Sequence, residues 1–299
     1  MNREDDVGEP SLRKAKTSYV PYELVIKYGA VQSEFSYATA ADEPDIRRIW
    51  KEAFGDQDDY ISFYMKRRFT EETTLCIRRG GSVVSFVNLL PLTIQCGQDY
   101  VDAIYLYAVA TDAKYRRNGY ASKLIRHVEE NYHKPIIVVP ASKSLRSFYQ
   151  RLNFGEYMKG SCQMYRLEDI DCDPIVYYEV SNASNAAEYK NFRDHYYGQC
   201  GYARWDEQAV RYALEENELC GGSCIYVNNE GYILYRIEDD CVKVIEASVT
   251  EKGMLRALKM LMLCHKKTRA VYDLQESMIF LDKDHVAGIT GGYFNLILN

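Results

Sequence analysis

Apolar positions along this chain switch repeatedly between helical and strand spacing. Ile46, Ile49, Trp50 and Phe54 lie on one helical face behind Asp42, Glu43 and Pro44, and acidic residues with an early proline are helix-start signals. A strand is expected over 35–39 and a second helix over 59–68, with Tyr60, Phe63 and Tyr64 turned inward. Residues 74–78 and 82–95 read as a hairpin turned by Gly80 and Gly81. A strand over 101–111, a glycine-containing loop and a helix over 119–132 follow. The segment closes with a strand over 136–139, a helix over 145–152 and a strand over 163–167.

Polar residues 169–173 and Pro174 form a candidate boundary. Beyond it the order of elements is similar: a strand over 176–180, helices over 186–197 and 206–216, and strands over 223–227, 231–237 and 242–249. A helix over 254–265 and strands over 270–274 and 293–298 complete the second half. The expected fold class is α/β with mixed (α+β) sheets, in two similar domains over 35–168 and 173–299, behind a polar, partly mobile leader over 1–34.

Composition narrows the function classes. With 47% hydrophobic and 27% charged residues the chain reads as globular, and no run of eighteen apolar residues is present to cross a membrane. Nine scattered cysteines and a charged start without an apolar core suggest a reducing cytoplasm. The five histidines have no metal-ligand or triad spacing, so no metal is expected. Residues 1–172 hold 24 Lys+Arg against 24 Asp+Glu, leaving 13 against 19 in the remainder. That acidic second half argues against a nucleic-acid partner and is compatible with a cationic substrate or with an ordinary solvated surface. Oligomeric state is left open.

The segment 108–124 concentrates the chemistry: an apolar strand runs into the basic loop Arg116-Arg117-Asn118-Gly119, and a helix begins there with Ala121, Leu124, Ile125 and Val128 at core spacing. Free amides at a helix N-terminus attract an anion, and Gly119 has no Cβ to hold it off. By physics alone this is either an anion site or a basic turn capping a surface helix.

Arg116-x-x-Gly119-x-Ala121, preceded by Val109-Ala110-Thr111 and Tyr115, resembles the acyl-CoA pyrophosphate loop of the GNAT superfamily of N-acyltransferases. The resemblance implies that the main chain of Arg116, Arg117, Asn118, Gly119, Tyr120 and Ala121, with Ser122 in addition, holds the pyrophosphate of acetyl-CoA, while the backbone at Val109 holds the pantetheine arm. Residues 135–154 resemble the next strand, helix and closing turn of that family, with Phe148, Tyr149 and Phe154 at matching places. Ser142, Leu145 and Asn153 stand where the family has Asn, Ala and Gly. The implied role of Tyr149 is general acid toward the departing thiolate. Its place in the stripe Leu145, Phe148, Tyr149 and Leu152 also suits a core residue.

The Pro140-Ala141-Ser142 opening is similar to two-domain members, including the enhanced-intracellular-survival type. That likeness makes the terminal carboxylate of Asn299 a candidate base, beside Asp102 and Glu246. The second half has Glu251 and no paired arginines at the corresponding loop, and reads as a degenerate GNAT-like domain that walls the substrate cleft. The expected activity is direct acetyl transfer from acetyl-CoA to the primary amine of a small molecule or peptide. The alternative is a non-catalytic acyl-CoA-binding regulatory protein of the same fold.

Overall fold

The computed structural model describes residues 34–176, 178–198, 201–227, 230–281 and 293–294. The leader over 1–33, Asn228 and Asn229, and residues 295–299, with the Asn299 carboxylate, lie outside the described residues.

The first half runs β1 (Glu34–Tyr37), α1 (Glu43–Phe54), α2 (Asp58–Arg67), β2 (Thr74–Arg79), β3 (Ser82–Cys96), β4 (Asp99–Thr111), α3 (Tyr120–Tyr132), β5 (Ile136–Val138), α4 (Lys143–Gln150), β6 (Gly155–Met158) and β7 (Ser161–Arg166). The second runs β8 (Tyr178–Ser181), α5 (Ala186–Tyr197), β9 (Ala203–Arg204), α6 (Glu207–Leu219), β10 (Gly222–Val227), β11 (Gly231–Ile237), β12 (Val242–Ala247), α7 (Glu251–Cys264), β13 (Arg269–Leu274) and β14 (Ser277–Phe280).

Local chemistry explains several boundaries. α1 starts with proline in its first turn and stops at Gly55 in the left-handed region. Gly80 and Gly81 both have positive φ, as a tight hairpin turn between β2 and β3 requires. Asn153, standing where a glycine was expected from the family resemblance, has φ 65°. Asparagine tolerates that backbone better than most residues, so the departure preserves the turn.

These elements build two sheets, giving the expected mixed α/β fold. The first has the order β1-β2-β3-β4-β5-β14-β6, with β9 pairing β3; the second is β7-β13-β12-β11-β10-β8. Strands are traded across the 169–174 segment. β14 lies between β5 and β6, pairing Ile279 with Ile137 on one side and Gly155 on the other. In exchange β7 pairs all along β13, from Ser161↔Leu274 to Arg166↔Arg269.

Packing follows the same interlock. Leu124, Ile125 and Val128 of α3 and Tyr149 of α4 cover one face of the first sheet. The core on its other face joins Trp50 and Tyr64 to Tyr189, Trp205 and Tyr212 from the second half. α7 lies over the second sheet, with Met254, Leu258 and Leu261 buried.

A fragment ending at residue 176 lacks β14 and leaves the facing edges of β5 and β6 without it, and such edges are costly and adhesive. It should lose the near-ultraviolet circular dichroism and sharp urea transition expected of the full chain; an intact transition in the fragment would contradict this view of the sheet.

Candidate functional site

Strand β4 is paired differently on its two sides. Its antiparallel register with β3 runs from Asp99↔Cys96 to Thr111↔Ser85, with an irregularity opposite Ala108 and Val109. Its parallel register with β5 is confined, among the described residues, to Ile104↔Ile136 and Tyr105↔Ile137. Ala108 has φ 53°, so the strand is distorted where it loses its second neighbour. Beyond Tyr105 the β5-facing edge of β4 has main-chain groups available to a ligand.

The loop after β4 leads onto the N-terminus of α3. Asp112 accepts from the Lys114 amide and pairs with Arg48 of α1 at 2.8 Å. Burial opposes its ionisation, but the amide and the guanidinium outweigh it and hold its carboxyl below the usual range. The Arg116 guanidinium donates to the carbonyls of Thr111 and Glu52, at 3.0 and 3.3 Å. It therefore fastens the loop to the end of α1 rather than reaching outward as a free fork. Arg117 is exposed with φ 65°, and Asn118 is exposed with its amide turned onto the loop carbonyls.

Gly119, at φ 78°, caps α3 without any side-chain bond to the helix amides. The first intrahelical bond is Lys123 N–H to the Gly119 carbonyl. Among the described residues no side chain caps the amides that open α3 at Tyr120, Ala121 and Ser122. A Cβ at 119 would meet nothing within 4 Å, so the space above the loop is open. Three outward amides at a helix N-terminus under open space suit a pyrophosphate.

The second half closes the equivalent position. Thr250 caps α7, its hydroxyl oxygen accepting from Gly253 N–H at 3.1 Å and its O–H donating to Glu230 Oε2 at 3.0 Å. A Cβ at 253 would run into that carboxylate. This helix start is filled by the chain's own acid, in keeping with the degenerate reading.

Tyr149 sits on α4, whose start is capped by Ser142 accepting from Leu145 N–H at 3.2 Å. Leu145 is exposed, so the stripe expected across this helix narrows to Phe148, Tyr149 and Leu152. Burial pushes the Tyr149 phenol up to about 12. Burial, then the neighbouring Tyr149 hydroxyl, likewise raises Tyr105 on β4. Val109 and the amides of 120–122 flank the opening of the strands, while Tyr149 lies on the helix that follows β5.

The candidate bases fare differently. The Asp102 side chain is largely exposed and pairs with Lys134 at 3.3 Å. Glu246 is fully buried in an ion pair with Arg193, and also accepts from Tyr189 and Tyr293. Arg146 of α4 is engaged by Glu276 at 2.8 Å.

Sequence reasoning missed a polar cluster under β4. Tyr60 of α2 donates to Glu216 Oε1 of α6 at 2.5 Å and lies 2.9 Å from the Tyr107 hydroxyl. Tyr212 reaches the same carboxylate at 3.5 Å. Glu216 Oε2 and the Tyr64 hydroxyl, with Arg68 Nε and Nη2 and Arg236 Nη2, are buried without a hydrogen-bond partner among the described residues. Desolvation pushes Glu216 up to about 7, against the Tyr60 hydrogen bond, Arg236, Tyr212 and Arg68. The available signal was the polar Glu215-Glu216-Asn217 run inside a helix with Tyr212 and Ala213 on its buried face.

Residues 34–157 match the family described as acetyltransferase (GNAT) domain. No curated protein matches the sequence. Among solved structures, a GCN5-related N-acetyltransferase from Kribbella flavida aligns over 84% of this chain and 71% of its own, with TM-score 0.66 and 15% identity. Another from Anabaena variabilis aligns over 83% and 72%, with TM-score 0.68 and 13% identity. Eis1 from Mycobacterium abscessus aligns over 81% and 65%, with TM-score 0.59 and 9% identity. At these identities the structures speak for the fold, which extends over both halves. Residues 34–157 thus match a GNAT acetyltransferase domain, within a two-sheet fold similar to those of GCN5-related N-acetyltransferases and Eis1.

Proposed function

We propose that the chain transfers an acetyl group from acetyl-CoA to the primary amine of a small molecule or peptide by direct attack. The observation that carries this reading is the uncapped N-terminus of α3, with its free amides beside the unpaired edge of β4. Acetyl-CoA supplies the acyl group as an activated thioester when bound. The amides of 116–122 hold its pyrophosphate, and the main chain at Val109 holds the pantetheine arm and polarises the acyl carbonyl. Tyr149, kept protonated by burial, donates to the sulfur as it leaves. The second half walls the acceptor cleft, and its acidic balance favours cationic amines.

Isothermal titration should show acetyl-CoA binding to the wild type and none to a folded Gly119→Glu variant, whose carboxylate lies where the pyrophosphate sits. Failure of the wild type to bind removes the reading. Tyr149→Phe should bind acetyl-CoA as before while kcat toward an accepted amine falls by roughly 10²-fold, the low end for loss of a general acid. Because the phenol ionises only near 12, activity should show no falling limb from Tyr149 at neutral or mildly alkaline pH. An unchanged kcat in Tyr149→Phe would leave the thiolate to take its proton from water.

A further inference from the structure

An amine that arrives as an ammonium must shed a proton before it attacks; Glu246 is held by Arg193, Asp102 pairs with Lys134, and the Asn299 carboxylate lies outside the described residues. A connected path lies elsewhere. Tyr60 spends its one proton on Glu216, so the 2.9 Å contact with Tyr107 is donated by Tyr107. The Tyr107 oxygen then keeps a lone pair for a proton arriving from outside. Tyr107 lies on β4 two residues before Val109, and its ring is 5.8 Å from that of Tyr105, the neighbour of Tyr149.

Resting on the acetyl-transfer reading, we propose that Glu216, acting through Tyr60 and Tyr107, receives the proton released by the acceptor amine. The ammonium proton passes to the Tyr107 oxygen as the Tyr107 proton moves to Tyr60 and the Tyr60 proton moves to Glu216. The carboxylate becomes a carboxylic acid, and both phenols end as they began. The neutral amine then adds to the acyl carbon, the C–S bond breaks, Tyr149 gives its proton to the sulfur, and the amine's second proton returns to the Tyr149 oxygen. Glu216 returns its proton to solvent along the same path.

The surroundings favour this over a substrate-binding or purely structural role. Arg68 and Arg236 lie near enough to act on the carboxylate and would repel a bound ammonium. Tyr60, Tyr64, Tyr107 and Tyr212 supply neutral hydroxyls around it, each held above the ordinary phenol range first of all by burial. Glu216 Oε2 has no hydrogen-bond partner among the described residues, whereas a carboxylate retained for packing is normally satisfied on both oxygens. A buried acid that titrates at about 7 accepts and releases protons at working pH.

The test measures kcat/KM against pH with acetyl-CoA and three acceptors: spermidine, kanamycin and a lysine-containing peptide. The wild type should lose activity below about pH 7, and Glu216→Gln should lack that limb with kcat lowered at least tenfold. Tyr60→Phe leaves Glu216 in place but cuts the path, and should lower kcat similarly, so the proposal remains testable if Glu216→Gln misfolds. Both variants should keep acetyl-CoA affinity within about twofold by titration calorimetry. A variant that retains the wild-type limb and kcat overturns the proposal. Wild type that binds acetyl-CoA yet lacks the limb also overturns it, whereas wild type that fails to bind overturns the acetyl-transfer reading beneath it.

A readout independent of turnover follows from linkage. The Glu216 carboxyl is raised on folding, so its stabilising contribution is complete below its ordinary value near 4.5 and is lost as pH rises to about 7. The urea midpoint of wild type should therefore fall relative to Glu216→Gln across that window, and a constant difference would show Glu216 to be ionised already and unsuited to the role.

Discussion

Among the described residues strand β4 pairs with β3 from Asp99 to Thr111, apart from the irregularity opposite Ala108 and Val109, but with β5 only at Ile104 and Tyr105, and the rest of the site depends on that early parting. Polar main chain inside a protein must find partners, so a central strand that abandons one neighbour needs a substitute. The distortion at Ala108 aims the freed edge, and the loop that follows turns straight into an uncapped helix. Asp112 and Arg116 are consumed in holding that loop to α1. Their charges serve position, and on the proposed reading the ligand-facing work falls to backbone amides whose direction the fold fixes.

The parting strands are held by material from the other half of the chain. β14 occupies the slot beyond β5, and β9 pairs with β3 at Thr93 and Ile94. Between the sheets, the buried Arg193–Glu246 pair joins α5 to β12, and Arg193 also donates to the Ala203 carbonyl of β9. Buried charges tolerate little displacement because a lost partner leaves an unpaired charge in the interior. The second half thus acts on the first sheet through main-chain bonds and a fixed ion pair.

Most of the local structure was legible in the sequence. The hairpin at Gly80–Gly81 and the α1 start at Pro44 have short-range causes, and the helices appeared with ends shifted by a few residues. The loop-and-helix motif was legible for the same reason, since its glycine and the spacing behind it are local. β6, β9 and β14 were missed: each has four residues or fewer, too short for a period to show, and each is fixed by distant partners. The exchange of β7 and β14 was equally hidden because sequence order says nothing about which sheet a strand joins. Arg116 illustrates a subtler limit: its charge was evident, but its attachment to Thr111 and Glu52 depends on where α1 ends. Glu216 lay inside a helix whose spacing gave no reason to separate it from Glu215.

The position of Glu216 also bears on the proposed reading, in which only the first half carries an anion seat. In the second half, Thr250 and Glu230 fill the start of α7, so that helix cannot offer its amides to a phosphate. The same half instead sends α6 beneath β4, where Glu216 meets Tyr60 of α2 and, through it, Tyr107. A filled helix start in the second half therefore coincides with a contact from that half under β4. Acid and base ends of a reaction work best when their environments push their proton affinities apart. On the proposed reading these ends are a phenol on α4 that burial pushes up to about 12 and a carboxylate on α6 that burial pushes up to about 7, supplied by different halves of the chain. A single helix or loop could not supply both environments, whereas two interlocked halves can.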